Sequence, residues 1–207
     1  MVFSTRVVIK WTRRWRLKPN LHLPFVESLT DLHPKSPSKV AARATAAGYV
    51  AAFCFGAPAD KVCRDLERFA LWEHLSTEEQ ALISNPGASE QSKAFHSWLI
   101  EAIQFMAWGL NILTLDHFAP CSKTLASQFP QAGTNPSHFI AGARLRPIEE
   151  LLQEADTLCM LHWFAVEANL NGQPDERVVL PRVSFRRHAA DWGVGVGEAW
   201  DDVSIDT

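Results

Sequence analysis

The sequence predicts a mainly α-helical fold: a single helical domain with two long central helices and a C-terminal tail folded back over them. Three observations predict it. Apolar residues recur at helical spacing along most of the chain, and period-two alternation is scarce. Helix-start signals precede the apolar stripes, as at Ser36-Pro37, Ser76 with Glu79, and Pro147. The terminus sets Trp192 and Trp200 around Gly193, Gly195 and Gly197, and a disordered tail is normally poor in tryptophan. A docked tail follows from that.

In chain order, Phe3 to Ile9 is a weak strand candidate, overlapping a basic helix over 5–17 that stops before Pro19. Asn20 to Pro34 reads as an extended, proline-punctuated connector. Ser36 caps an alanine-rich helix through Val40 to Phe53, ending near Gly56. Pro58 opens a helix with Val62, Leu66 and Phe69 as its buried stripe. Ser76 and Glu79 form a capping box for a short helix ending before Asn85-Pro86-Gly87. The first long helix spans about Ser89 to Leu113, with Phe95, Leu99, Ala102, Met106 and Leu110 on its apolar face. Asp116 to Arg146 is polar and loop-like with short helical pieces. The second long helix runs from Pro147 to Gly172, its stripe including Ile148, Leu151, Ala155, Leu158, Cys159 and His162. Val178 to Leu180 is too short to decide, and Pro181 to Trp192 forms the last helix.

Charge divides the chain. Residues 1–40 hold eight Lys/Arg against two Asp/Glu, and the remainder holds twelve against twenty-one. The expected organisation is a basic arm and connector over 1–35 and a helical domain over 36–207. No apolar run approaches the roughly 20 residues of a membrane span. The N-terminus lacks a signal-peptide layout, and Cys54, Cys63, Cys121 and Cys159 form no Cys-x-x-Cys pair. A cytoplasmic protein with reduced core thiols is expected.

Several segments in order resemble a bacterial domain of unknown function, family 4272. They are Leu23-Pro24-Phe25-Val26-Glu27-Ser28, Ser36-Pro37-Ser38-Lys39-Val40-Ala41 and Trp98-Leu99-Ile100-Glu101-Ala102 with Ala107-Trp108-Gly109-Leu110. Leu145-Arg146-Pro147 leading to Leu161-His162-Trp163, and Arg186-Arg187 through Trp200-Asp201-Asp202-Val203, complete the set with Asp206-Thr207. The resemblance covers nearly the whole chain. It implies a mostly helical cytoplasmic domain and carries no catalytic residues to transfer.

Candidate binding residues come from the constellations themselves. His162 falls on the apolar stripe of its helix, where a buried imidazole needs partners; Glu101 is one candidate, and Trp163 adjoins it. A core histidine satisfied by a neighbouring group is the competing reading. Arg186 and Arg187 precede Asp201, Asp202 and Asp206, so guanidinium–carboxylate pairs could clamp the tail, or the arginines could hold an anionic ligand. The aspartates lack the turn of a calcium loop, and no metal or cofactor is expected. Gly193-x-Gly195-x-Gly197 reads as a helix stop and turn, since a phosphate loop needs a strand before it. Trp11 and Trp15 share a helical face and are expected to dock on the body.

The leading functional expectation is a non-catalytic cytoplasmic interaction protein, inhibitor- or immunity-like. It would present an acidic surface with Trp200, Asp201 and Asp202 to a basic partner. The alternative is a small-molecule-binding protein or enzyme with a pocket around His162, Glu101, Trp163 and the arginine pair. Membrane is excluded from the expected partners and nucleic acid disfavoured by the acidic body; a homo-oligomer through the N-terminal arm is compatible with either reading.

Overall fold

The computed structural model describes residues 3–24, 26, 32–85 and 87–206. Phe25, Glu27 and Ser28 of the first family-like segment, Pro86 of the predicted turn and Thr207 lie outside these. The helices in chain order are α1 (Phe3–Arg14), α2 (Pro37–Cys54), α3 (Ala59–Arg68), α4 (Thr77–Ser84), α5 (Glu90–His96), α6 (Leu99–Gly109), α7 (Ser137–Gly142), α8 (Ile148–Leu170) and α9 (Leu180–Val194). Short 3-10 turns lie at Trp72–His74, Leu125–Gln128 and Trp200–Asp202. Among the described residues no strand forms, and the fold is mainly α. The strand candidate Phe3 to Ile9 is the first part of α1. A lone strand has nothing to pair with, whereas a helix satisfies its own backbone.

The chain groups into two compact units. The first comprises Met1–Lys35, Asp116–Pro120 and Arg146–Thr207; the second comprises Ser36–Leu115 and Cys121–Leu145.

In the first unit α8 is central, and both α1 and α9 pack on it. Leu158, Leu161, Ala165, Val183, Ala189 and Ala190 are fully or almost fully buried. Helix α1 ends where Arg16 takes a left-handed φ of 60° and the Leu17 N–H returns to the Thr12 carbonyl at 2.8 Å. Trp15 then packs on His117 and Phe118, with ring centroids 4.8 and 5.2 Å away. The expected docking of the tryptophan pair is therefore formed.

In the second unit α2 is central, with α3, α5, α6 and α7 against it. The Ser36 hydroxyl accepts the Lys39 N–H at 3.2 Å to start it. A helix apolar all round belongs in a core, and Ala41, Ala44, Ala46, Ala47 and Val50 are buried accordingly. The capping box on α4 is present, and Glu79 also takes a two-pronged ion pair from Arg43 at 2.6 and 2.9 Å.

The predicted helix over Ser89 to Leu113 is two helices, α5 and α6, broken at Ser97 and Trp98. The Ser97 hydroxyl donates back to the Ala94 carbonyl at 2.7 Å, and the following amides bond three residues back. Such side-chain competition with the backbone ladder breaks or bends helices. Phe95, placed on the apolar face by its spacing, is 57% exposed.

Candidate functional site

The densest concentration of buried chemistry lies between α8 and α9 in the first unit. Asp156, Cys159 and His162 are three apart along α8, so they follow one another along a single face. Arg187 and Asp191 are four apart on α9 and likewise share a face. All five are buried. Arg187 is the hub. Its Nε donates to Asp191 Oδ2 at 3.2 Å, and its Nη1 donates to His162 Nδ1 at 2.9 Å and to the Ile205 carbonyl at 3.0 Å.

Because a guanidinium has no acceptor, His162 Nδ1 must be unprotonated. The neutral imidazole therefore carries its proton on Nε2. Burial first, and the Arg187 charge second, lower the His162 pKa to about 4, with Asp206 opposing. Burial raises Asp191 to about 6 against the pull of Arg187, and raises Cys159 to about 11. Asp191 Oδ1 is buried without a hydrogen-bond partner. Asp156 Oδ1 accepts the Val26 N–H at 2.6 Å. The arrangement holds a neutral histidine and a protonated thiol near pH 7. That suits fixing two helices and a tail together; it does not suit proton transfer or thiolate attack.

Arginines of α9 also hold neighbouring main chain. Arg182 Nη1 donates to the Phe118 carbonyl at 2.7 Å, and Arg186 donates to the carbonyls of Asp116 and Ala119 at 2.7 and 2.9 Å. His117 bonds Glu154 at 2.7 Å in the same stretch, which forms a strap over residues 116–119.

The tail is gripped through its backbone. His188 Nε2 donates to the Trp200 carbonyl at 3.0 Å, and its ring lies 4.4 Å from the Trp200 ring, which also meets Trp192 at 5.6 Å. Buried Lys35 donates to the Gly197 carbonyl at 2.7 Å. Gly195, with φ of 94°, ends α9, and a Cβ there would stand 2.5 Å from the His33 backbone.

Of the predicted site residues, the structure brings His162 and Arg187 together, with Arg187 on the tail. The expected role of Glu101 as the His162 partner is taken by Arg187. Glu101 belongs to the second unit, where its Oε1 accepts the Cys121 N–H at 3.1 Å. Trp163 is half-buried on α8, and Arg186 is buried against carbonyls. Arg187 holds the tail at the Ile205 carbonyl and also takes Asp191 on its own helix, while Asp202 accepts the Ala199 N–H at 2.8 Å. Asp201 and Asp202 are exposed and Trp200 half-buried. The residues that sequence reasoning missed are Asp156, Asp191, His188 and Lys35. The i,i+4 spacing of Arg187 and Asp191 was the available signal.

A cavity of about 440 Å³ lies in the second unit, between α2, α6 and the segment 121–132. It is lined by neither Glu101 nor His162.

A helical domain whose buried polar residues serve to tie helices, strap and tail is the class that this geometry defines. The family model for a domain of unknown function (DUF4272) matches residues 7–203, and the chain belongs to that family. No curated protein and no solved structure matches it. Among the described residues, no helix is long and apolar enough to cross a membrane.

Proposed function

We propose that the chain is a non-catalytic, cytoplasmic protein-interaction domain, inhibitor- or immunity-like, that meets a basic partner with its C-terminal tail. The observation that carries this reading is that the tail is fixed through its main chain while its carboxylates face solvent. His188 and Arg187 hold the Trp200 and Ile205 carbonyls. Glu198, Asp202 and Asp206 are exposed and make no ion pair with a described residue. Trp200 is already packed against the rings of His188 and Trp192, so a partner would lose little side-chain entropy in docking on it. Ordered acidic groups around an aromatic anchor suit recognition of a basic protein surface. The burial of His162 and Cys159 supports the non-catalytic part.

The test uses the full chain with a photo-crosslinking residue at Val196, which is 40% exposed beside the tail. It is irradiated in lysate of its native cells, alongside the Glu198→Lys/Asp206→Lys variant. The expected result is one stoichiometric crosslink to a basic protein, reduced about tenfold by charge reversal. No crosslink, or one that charge reversal leaves unchanged, contradicts the reading.

A further inference from the structure

The cavity of the second unit has features that core packing does not require. It is about 440 Å³, within the range of roughly 300–1,000 Å³ typical of small-molecule sites. Its helical wall is α2, where Ala44, Gly48 and Ala52 keep the surface low. A Cβ built on Gly48 meets nothing within 4 Å. Glycine inside a helix costs about 1 kcal/mol relative to alanine. Backbone crowding does not explain its presence at this position.

The opposite wall is held in place. The Ser122 N–H donates to Gln104 Oε1 at 2.8 Å, and the Cys121 N–H donates to Glu101 at 3.1 Å. Gln104 Nε2 donates to the Thr114 carbonyl at 3.0 Å, which orients its amide. Leu125 is a buried part of this wall, and the ring of Phe129 is braced by Phe139 at 5.4 Å. The space therefore does not depend on a ligand to form. At its edge Phe55 lies 66% exposed, more than a large apolar side chain needs to be.

The charge at the rim selects the ligand. Lys123 is the charged side chain among the described lining residues, it is exposed, and it makes no ion pair with a described residue. An apolar interior with a single ammonium at the edge complements a molecule with an apolar body and one negative end. We infer that the second unit carries a binding site for a small amphiphilic carboxylate, its alkyl or aryl body against α2 and α6 and its carboxylate at Lys123. This is independent of the tail surface and of any partner docking there.

The test is calorimetric titration of the full chain with decanoate and with decan-1-ol, which shares the body and lacks the charge. Decanoate is expected to bind with a stoichiometry near one. Decanol should bind about three- to fivefold more weakly, the size of an exposed ion pair. Lys123→Gln should remove that difference. Gly48→Leu, which fills the cavity from α2, should abolish binding of both. Ala126→Trp, from the exposed opposite rim, repeats the block should Gly48→Leu fail to fold. Absence of decanoate binding up to about 1 mM overturns the inference. So does binding that survives the folded blocking variants. Equal affinity for decanoate and decanol overturns the assignment of an anion.

Discussion

A histidine and an aspartate buried around one arginine respond to acid in opposite senses. His162 is kept neutral down to about 4, whereas the unfolded chain protonates it near 6.5. Acidification between those values therefore protonates the unfolded chain first and lowers stability. Asp191 has its pKa raised from 3.8 to about 6, so the fold takes up its proton first and gains stability over that range. Each contribution is about 3 kcal/mol and the two oppose each other. We expect Asp191→Asn to lose stability more steeply than wild type between pH 6.5 and 4. His162→Gln should lose it less steeply, or gain. Urea midpoints across the series measure this, and parallel profiles would contradict it. The Arg43–Glu79 pair behaves differently, since both side chains are 2% exposed. Arg43→Ala leaves a buried carboxylate without its cation and should cost about 3–5 kcal/mol by denaturant unfolding. The capping role of Glu79 was legible from Ser76 three residues earlier. Its pairing with Arg43 spans 36 positions and left no local trace.

At the level of elements, helix ends were more legible than helix continuity. Ser36, Ser76, Gly56, Gly172 and Gly195 mark boundaries because caps and left-handed turns demand particular residue types. The break between α5 and α6 was not legible. Apolar spacing runs straight through it, and the change to three-residue backbone bonds at Trp98, Ile100 and Glu101 leaves no trace in that spacing. The glycine-rich segment near the terminus is a helix stop, as its composition predicts, but only the fold shows that Gly195 admits the His33 backbone. Gly195→Ala combines a positive φ with that collision. It should lower stability by about 1–3 kcal/mol and loosen the packing of Trp200. Thermal unfolding with tryptophan emission checks both, and an unchanged midpoint would show that the turn adapts.

At the level of the whole molecule, the mainly helical class followed from periodicity, and family membership matched the order of the segments. The candidate site was half legible. Periodicity placed His162 on a buried face, but its partner came from another helix, where spacing along the chain carries no information. The same limit hid the way the tail is held. Charge attraction pointed to the aspartates, yet Arg187 takes the Ile205 carbonyl and Asp191. That outcome leaves tail carboxylates facing solvent, and it underlies the proposed interaction surface. If the surface acts this way, binding to the basic partner should weaken steeply as salt rises from low to physiological ionic strength. Salt-independent affinity would point to another face of the molecule. Arg187 holds the buried histidine as a structural acceptor, which leaves it no part as a proton carrier near pH 7. Nitrogen-detected NMR titration of His162 in the wild-type chain tests it most directly. A midpoint near 4 and a neutral ring protonated on Nε2 at pH 7 are expected. A midpoint at or above 6.5, or a proton on Nδ1, would contradict it and return His162 to the candidates for acid–base chemistry.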